Sequence, residues 1–341
     1  MNKKLFIISN ESISKNLNNF HCDNLDLKTI PEGLNGTFDV NLIARMSKVG
    51  RKHYIKDIKI NLATNIFSFI KIILSTINKK ENSKYMIISI TPYTFLATIL
   101  LSLFGVNTSV YLRSDGFEEY NSILGKIGKF IYFVMFEITS KISRFISCRE
   151  HILKTKTGII VSPSHLNEKW FKNHKEANLK KINLLYVGRI RVEKGIFSLM
   201  KIYTNLRKDI SLSIVSSSND HKKITINKNV TLIDTLSEEA LIDIYDKNLI
   251  FILPSFTEGH PQVLDEALSR LRPVIVFEEI QHVKRNRKGV FICKRDTEDL
   301  ERTINSILDN FHSIQDEIKK NKLPTNKEFI KELSEILKNE K

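Results

Sequence analysis

Residues 182–195 read INLLYVGRIRVEKG. The apolar run at residues 182–187 has the length and composition of a buried parallel strand. Gly188 ends this run, and we expect a helix from about Glu193 to Leu206. In an open parallel sheet, ligands bind at the carboxyl ends of the strands. We therefore interpret Gly188 as the tip of a strand that faces a ligand.

Strands and helices alternate along the rest of the chain. Further strands are predicted at residues 5–9, 86–90, 109–112, 145–147, 212–215, 231–233, 249–253, 274–276 and 290–293. Helices are predicted between many of them, one of them with Ser237 as its N-cap. This alternation indicates parallel sheets with helices on both faces. With 341 residues, the expected fold class is α/β with two doubly wound, Rossmann-like domains.

The composition is that of a globular protein with a basic surface. It is 42% hydrophobic and 27% charged, and the formal net charge is +15. This charge attracts nucleic acid, anionic lipid or phosphate-bearing substrates, although solvated lysines alone would also produce it. The cysteines, Cys22, Cys148 and Cys293, are far apart and form neither a disulfide framework nor a zinc motif. We therefore expect a cytoplasmic protein without a metal site.

One apolar segment, residues 86–106, is long enough to suggest a membrane span. Pro92 interrupts it, and five serine and threonine residues dilute it. A strand, a turn at Thr91-Pro92 and a buried helix explain the segment better than a span does.

The helix predicted at residues 122–141 carries many apolar side chains between lysines. Its aromatic and aliphatic residues are Ile127, Phe130, Ile131, Phe133, Val134 and Phe136. Either this helix belongs to the core, or it docks on the surface of an anionic membrane.

Two cations follow the strand tip at Gly188. Arg189 comes directly after it, and Lys194 lies at the start of the next predicted helix. Two cations beside a helix N-terminus can bind a diphosphate through charge-assisted hydrogen bonds and the helix dipole. An ordinary basic surface turn is the alternative for this stretch taken alone.

A second polar stretch, LPSFTEGHPQVLDEA at residues 253–267, follows another predicted strand. Pro261 is a typical first residue of a helix, which places Glu258 in the preceding loop and Glu266 inside the helix. Carboxylates accept hydrogen bonds from sugar hydroxyls, so these two could hold a ribose and a hexose together. The alternatives are a helix cap at Glu258 and a solvated helix face at Glu266.

Together the two stretches resemble glycosyltransferase family 4 (glycosyl transferases group 1), whose retaining enzymes have the GT-B fold. The family pattern is Gly-Arg, four residues, Lys-Gly, and later Glu, seven residues, Glu. The chain matches it with Gly188-Arg189, Lys194-Gly195, Glu258 and Glu266. Both motifs follow predicted strands and occur in the family's order, which makes the combination more specific than either motif alone.

The resemblance implies two Rossmann-like domains that face each other across a cleft. Residues 1–165 would bind the acceptor, 166–180 would form a linker, and 181–315 would bind a nucleotide-sugar. Residues 316–341 would form a helical tail that could pack back on the N-terminal domain.

The resemblance also implies roles for individual residues. Arg189 and Lys194 would bind the donor diphosphate and neutralise the leaving nucleotide, so that neither a metal nor a cofactor is needed. Glu266 would hold the ribose, and Glu258 would hold the donor sugar as a catalytic residue. The expected donor-binding residues are Gly188, Arg189, Lys194, Glu258, Gly259, His260, Pro261 and Glu266.

Three positions depart from the family. Ser216-Ser217-Ser218 stands where a glycine-rich loop is common, and Leu271 stands where a glycine usually precedes a Pro-Val strand. Residues 278–282 replace a Gly-Gly loop and include His282, which is either a surface histidine or a donor contact. These departures concern the nucleobase and the donor sugar rather than the diphosphate.

In the first half, polar residues follow the strand predicted at residues 109–112. In the resembling family a loop near this point supplies a catalytic His or Asp, so Asp115 is the candidate catalytic residue for orienting or deprotonating the acceptor. Arg113 is the candidate for binding an acceptor phosphate. A turn in which Asp115 caps the next helix is the alternative.

The sequence therefore predicts a glycosyltransferase that moves a sugar from a nucleoside-diphosphate-sugar to a lipid-linked or polysaccharide acceptor, with retention. An anionic membrane surface is an expected partner, and the protein would be peripheral on the inner face of the cytoplasmic membrane. The main alternative is an inactive GT-B scaffold that binds lipid or a partner enzyme. A nucleic-acid binder is disfavoured because no recognisable module is present, and a dehydrogenase because no GxGxxG follows a strand.

Overall fold

The structure, a computed structural model, describes residues 3–17, 19–78, 82–226, 228–234 and 237–339. The chain forms two compact units. The first unit comprises residues 1–165 and 325–341, and the second comprises residues 166–324. Each unit contains a sheet whose main part is parallel, so the predicted α/β class is confirmed.

Within the part of residues 1–165 that the structure describes, there are nine strands and five α-helices. The strands are β1 (Lys4–Asn16), β2 (Asn19–Cys22), β3 (Asp39–Met46), β4 (His53–Ile55), β5 (Lys59–Ala63), β6 (Ser83–Ile88), β7 (Ser109–Leu112), β8 (Arg144–Ser147) and β9 (Gly158–Ile160). The helices are α1 (Leu25–Leu34), α2 (Ile66–Ile77), α3 (Pro92–Leu103), α4 (Gly116–Ile142) and α5 (Glu150–Leu153).

The parallel part of this sheet has the order β5-β3-β1-β6-β7-β8-β9. Strand β1 is longer than the predicted strand at residues 5–9. Its pairing with β3 shifts between Ile8 and Ser12, and its far end then pairs antiparallel with β2. Apolar side chains pack on both faces of the sheet, as burial of a parallel sheet requires.

The apolar segment at residues 86–106 forms a strand and a helix, as predicted. Thr91 caps α3 in a capping box with Thr94, and Pro92 occupies the first turn. Ala97, Thr98 and Leu101 are buried in this helix. Among the residues that the structure describes, no helix is long and apolar enough to cross a membrane.

Helix α4 presents an apolar face to the solvent. Ile127 is 72% exposed and Phe130 66% exposed. Ile123, Leu124, Ile131, Phe133, Val134 and Ile138 are exposed as well. The alternative that this helix is entirely core is therefore wrong, although Tyr132, Met135 and Phe136 are buried. These eight exposed residues are called the apolar face of α4 below: Ile123, Leu124, Ile127, Phe130, Ile131, Phe133, Val134 and Ile138.

The described residues of the second unit form six strands and six α-helices. The strands are β10 (Ile182–Val187), β11 (Ile210–Ser216), β12 (Val230–Asp234), β13 (Ile250–Leu253), β14 (Val274–Phe277) and β15 (Val290–Cys293). The helices are α6 (Ile196–Tyr203), α7 (Ser218–His221), α8 (Glu238–Lys247), α9 (Gln262–Ser269), α10 (Thr297–Asp309) and α11 (Phe311–Ile318). Short 3-10 helices cover Glu168–Phe171 and Glu278–Val283.

All strands of the second sheet are parallel, in the order β12-β11-β10-β13-β14-β15. This is the strand order of a Rossmann fold, in which the order reverses between the first strand of the unit and the fourth. Here the reversal lies between β10 and β13. The carboxyl ends of these two strands carry both of the motifs that the sequence analysis singled out.

Residues 166–180 belong to the second unit and are not a separate linker. Leu166 and Trp170 are buried in its core, and the buried Arg270 donates hydrogen bonds to the backbone carbonyls of Trp170, Lys172 and Asn173. A buried guanidinium needs such acceptors, which fixes the segment in place.

The last helix, α12 (Asn326–Lys338), is part of the first unit. Phe329, Leu333 and Leu337 lie in the core on one face of its sheet. The boundary of this C-terminal segment falls at residue 325 rather than at 316, because α11 packs in the second unit.

Candidate functional site

Strand β10 delivers Gly188 to the carboxyl edge of the second sheet. The Gly188 amide donates to the Val215 carbonyl at 3.0 Å, and the Tyr186 hydroxyl donates to the Arg189 carbonyl at 2.7 Å. A Cβ on Gly188 would lie 2.9 Å from the Tyr186 hydroxyl oxygen. The hydroxyl therefore fixes the turn only because residue 188 lacks a side chain.

Gly195 brings the two motifs together. Its φ is +67°, and a Cβ at this position would lie 1.8 Å from the Pro254 carbonyl oxygen. The Phe256 amide also donates to the Glu193 carbonyl at 3.0 Å. The loop after β10 thus packs directly on the loop after β13. Gly195 is the N-cap residue of α6, which begins at Ile196, three residues after its predicted start.

Lys194 and Glu258 are in contact. The Lys194 Nζ lies 2.7 Å from the Glu258 Oε1, and the Ser255 hydroxyl donates to the same oxygen at 2.6 Å. The Glu258 side chain is largely buried, so the ammonium stabilises a carboxylate that burial alone would destabilise. Glu258 therefore orients Lys194 at the start of α6 and does not cap α9.

Arg189 is exposed and forms no ion pair with any residue that the structure describes. It follows β10 directly, on the same loop as Lys194. An exposed guanidinium without a protein carboxylate is available for an anion, which it can bind with two parallel hydrogen bonds.

Glu266 lies inside α9 and is buried, so the alternative of a solvated helix face is wrong. The Tyr245 hydroxyl donates to its Oε2 at 2.8 Å. Burial and the neighbouring Glu266 carboxylate raise the pKa of Tyr245 well above its usual value, so the hydroxyl remains a donor. Tyr245 on α8 thus fixes the orientation of Glu266.

Pro261 is the N-cap residue of α9, so the helix begins at Gln262, one position after the first residue that was predicted for it. Gly259 precedes it in open space, since a Cβ there would meet no atom within 4 Å. The His260 Nε2 lies 3.5 Å from the Oδ2 of the buried Asp265. Arg287 holds that carboxylate with two hydrogen bonds of 2.7 and 2.9 Å. The ion pair between Asp265 and Arg287 therefore anchors the loop that precedes α9.

Sequence analysis missed several of these residues. Tyr245 and Arg287 lie outside both motifs. Asp265 lies in α9 directly before Glu266, and its position next to that motif residue is the one signal in the sequence that could have indicated it. Arg295 was also missed. Its guanidinium lies 4.1 Å from the Phe256 ring centroid and 4.3 Å from that of Phe277.

The departures from the family have structural explanations. Leu271 has a φ of +56°, which is a conformation that favours glycine. The segment 278–282 lies in a 3-10 helix, and the His282 Nε2 is 2.9 Å from the Glu258 carbonyl oxygen. Ser217 occupies the N-cap position of the short helix α7, where the family commonly has a glycine-rich loop.

In the first unit, Asp115 is the N-cap of α4. Its side chain accepts from the Phe117 amide at 2.9 Å, and the Lys154 Nζ lies 2.5 Å from its Oδ2. The structure thus has the alternative arrangement, in which Asp115 caps the next helix. A catalytic role of Asp115 stays a prediction.

Arg113 pairs with two carboxylates other than Asp115. Its guanidinium lies 3.2 Å from Glu11 and 3.2 Å from Asp26, and His165 is 3.2 Å from Asp26. Burial would raise the pKa of Asp26, but His165 and Arg113 outweigh it and lower the pKa. The prediction that Arg113 binds an acceptor phosphate is not tested, and its charge is already compensated.

The structure thus brings Lys194 and Glu258 into contact. Arg189 follows the same strand as Lys194, and Glu266 follows the same strand as Glu258. These two strands, β10 and β13, are neighbours in the sheet. It does not join Arg113 to Asp115. Within the described ranges, no group of three or more His, Cys, Asp or Glu side chains is arranged to hold a metal ion.

Comparisons with known proteins agree with this arrangement. Residues 181–310 match the family described as "Glycosyl transferases group 1", and all four motif side chains lie inside this range. An uncharacterized glycosyltransferase of Haemophilus influenzae is 29% identical over 171 residues, which are 46% of this chain and 48% of that protein. The matched part is therefore about half the length of this relative. The match to glycosyl transferases group 1 thus covers the part of the chain that contains both motifs, residues 181–310.

Solved structures extend the likeness to the whole fold. Anabaena HepE, crystallised with UDP and glucose, is 11% identical with a TM-score of 0.71 and full coverage of both chains, 100% each. WaaG, a glycosyltransferase involved in lipopolysaccharide biosynthesis, is 11% identical with a TM-score of 0.67, over 98% of this chain and 100% of that one. The chain thus has the GT-B fold with two Rossmann-like domains.

Proposed function

We propose that this protein is a glycosyltransferase that uses a nucleoside-diphosphate-sugar donor bound by its second unit. The contact between Lys194 and Glu258 carries the proposal, because it joins the two family motifs at the point where the strand order reverses. The match of residues 181–310 to the family supports it. HepE, whose crystals contain UDP, favours a uridine nucleotide as the donor.

In this proposal the second unit stabilises the leaving group by charge. Arg189 and Lys194 bind the diphosphate as negative charge develops on it when the bond to the sugar breaks. An ammonium has three donors, so Lys194 can keep its hydrogen bond to Glu258 while it binds phosphate. Glu266, held by Tyr245, accepts hydrogen bonds from the ribose, and Glu258 contacts the donor sugar. Transfer with retention and without a metal completes the proposal.

The proposed acceptor is a lipid-linked or polysaccharide sugar, and the proposed location is the inner surface of the cytoplasmic membrane. WaaG, named for lipopolysaccharide biosynthesis, supports an acceptor of this kind. The apolar face of α4 supports it independently, since Lys126, Lys129 and Lys141 accompany exposed apolar residues on this helix. An apolar face with cations beside it binds anionic lipid.

A thermal-shift panel tests the donor site. UDP-, GDP-, ADP- and CMP-sugars would be added to the wild type, to Arg189→Ala and to Arg191→Ala. Arg191 is the matched control because it is also exposed and already pairs with Glu193 at 3.7 Å. A ligand at one hundred times its dissociation constant stabilises the native state by about 2.7 kcal/mol.

We expect one diphosphate donor to raise the melting temperature of the wild type and of Arg191→Ala, but not that of Arg189→Ala. EDTA should not change the shift, and the anomeric configuration of the product tests retention. Stabilisation by none of the nucleotides would reject the enzyme and leave an inactive scaffold that binds lipid or a partner enzyme.

A further inference from the structure

Helix α4 is bent into two arms that pack side by side. Gly125 has the non-helical angles φ 62° and ψ −148°. The rings of Phe117 and Tyr132 meet edge to face with centroids 4.9 Å apart, whereas in a straight helix these residues would be about 22 Å apart along the axis. We call residues 116–124 the first arm and residues 126–142 the second arm.

Two glycines make this close packing possible. A Cβ on Gly116 would lie 2.1 Å from the Tyr132 ring, and a Cβ on Gly128 would lie 2.1 Å from the Tyr120 carbonyl oxygen. The bend is therefore built into the sequence through glycines at three positions of one helix.

A cavity of about 440 Å³ lies between the two arms and residues 154–155. Its polar lining includes Asp115, Glu118 and Asn121, all at or near the start of α4, and Glu137 on the second arm. Its apolar lining includes Phe117 and Phe133. The volume is that of a small-molecule site, with a few polar groups between aromatic rings.

We propose that this cavity binds a sugar ring of the acceptor, and that the acceptor is a glycolipid whose apolar chain lies along the apolar face of α4. That this ligand is the acceptor of the reaction rests on the function proposed above. Binding of a sugar-bearing amphiphile here does not depend on that function.

The charges of the lining favour a sugar over a phosphate group. Three carboxylates, those of Asp115, Glu118 and Glu137, line the cavity together with the ammonium groups of Lys129 and Lys154. Lys154 pairs with Asp115 at 2.5 Å, and Lys156 pairs with Glu137 at 2.7 Å, so these two ammonium groups are already neutralised by carboxylates of the protein. Carboxylates accept hydrogen bonds from hydroxyl groups but repel a phosphate. Phenylalanine rings offer apolar surface to the C–H face of a sugar ring.

The backbone at Lys154 supports a built site. Its φ is +54°, a strained conformation for a residue with a side chain. Its ammonium reaches Asp115 and also lies 5.2 Å from the Phe117 ring centroid. Lys154 thus lines one side of the cavity. Its backbone has a conformation that a glycine would adopt more easily.

The rim of the cavity is continuous with the apolar face of α4. Lys129 and Phe133 line the cavity and are themselves exposed on the second arm, beside Phe130. A ligand with its sugar in the cavity would therefore extend its chain over exposed apolar residues. This continuity identifies an amphiphile rather than a free sugar.

Saturation-transfer NMR with octyl glycosides, each below its critical micelle concentration, tests the proposal. The probes are octyl glucoside, octyl galactoside, octyl mannoside and octyl N-acetylglucosaminide, with octyl phosphate as the anionic comparison. The variant Asn121→Trp fills the cavity from an exposed position. Ser122→Trp, one residue further and not in the lining, is the matched control.

We expect saturation of the sugar-ring protons of at least one octyl glycoside in the wild type and in Ser122→Trp. In Asn121→Trp this signal should fall roughly tenfold, as expected when the site is blocked. Ring protons that receive no saturation from any glycoside, equal signals in both variants, or binding of octyl phosphate alone would each overturn the proposal.

The donor experiment separates this proposal from the proposed function. A wild type that is stabilised by a nucleotide-sugar but binds no octyl glycoside keeps its proposed function and loses this site. A wild type that binds an octyl glycoside but no nucleotide-sugar keeps this site and is a glycolipid-binding scaffold.

Discussion

The α-carbon of Gly195 faces the carbonyl oxygen of Pro254 so closely that a Cβ on residue 195 would lie 1.8 Å from that oxygen. This contact joins the loop after β10 to the loop after β13. Lys194 and Glu258, which flank the contact, meet only because the two loops can approach each other to this distance.

Gly195→Ala should therefore separate the two loops. The added methyl group cannot be accommodated against a backbone carbonyl, and residue 195 also has a positive φ, so we expect a loss of about 1–3 kcal/mol of stability and no donor-induced thermal shift. Gly259→Ala is the control, because a Cβ there meets no atom within 4 Å. Its stability should stay within about 0.5 kcal/mol of the wild type. Equal stability of the two variants would contradict the argument.

Tyr245→Phe should weaken donor binding without any direct contact to the donor being removed. The change deletes the hydroxyl that donates to Glu266 at 2.8 Å, so the carboxylate loses its fixed orientation and stability falls by about 1–3 kcal/mol. Tyr203→Phe removes a buried hydroxyl that donates to the Ile210 carbonyl, away from the motifs. Calorimetric titration with the donor should show a several-fold weaker affinity for Tyr245→Phe only.

Asp26→Asn should make the stability of the first unit less dependent on acid pH. In the folded protein, the pKa of Asp26 is lowered, because His165 and Arg113 outweigh the effect of burial. A carboxyl with a lowered pKa contributes stability above its unfolded pKa of about 3.9, and this contribution is lost as the pH falls through the lower, folded value.

Urea unfolding at pH 7, 5, 4 and 3 measures this effect. Asp26→Asn should be about 3 kcal/mol less stable than the wild type at pH 7, and the difference should shrink below pH 4. Asp39→Asn, which breaks the more exposed pair with Lys59, should cost less than about 1 kcal/mol. A difference for Asp26→Asn that stays constant down to pH 3 would exclude this explanation.

Phe130→Ser should reduce binding to vesicles that contain anionic lipid. Phe130 is 66% exposed on α4, and burial of a phenylalanine side chain contributes about 1.5–3 kcal/mol, so the loss should be roughly tenfold or more. Phe67→Ser is the control, since Phe67 on α2 is 79% exposed and outside the apolar face of α4. Co-sedimentation at low and high salt measures both; equal binding of wild type and Phe130→Ser would reject docking through α4.

The Rossmann-like core of the second unit was predictable because local pattern and tertiary structure agree there. Each strand from β10 to β15 is a short apolar run followed by glycine, proline or polar residues. The local pattern of each run therefore predicts a strand and no other element. The motif residues follow such strands, which is why Lys194 and Glu258 could be assigned to one site before their contact was known.

Other features depend on contacts between residues that are distant in sequence. The bend of α4 at Gly125 is invisible to a periodicity argument, because both arms remain helical and amphipathic. Tyr245 contacts Glu266 through one hydrogen bond, and Arg287 contacts Asp265 through two. Both donors lie in neighbouring elements, so the spacing of residues along the chain does not predict these contacts. Leu271 is a different case. The family usually has a glycine at this position, and glycine adopts a positive φ easily. The leucine of this chain has a positive φ as well.

Helix α12 has a consequence for biosynthesis. Phe329, Leu333 and Leu337 complete the core of the first unit, yet the ribosome makes them only after all of residues 166–324. The second unit is contiguous and can fold as soon as it leaves the exit tunnel, whereas the first must wait with part of its interior uncovered. N-terminal domains ordinarily fold first during translation; in this protein the order of completion is reversed, and nascent chains released before residue 325 would expose apolar surface to chaperones and proteases.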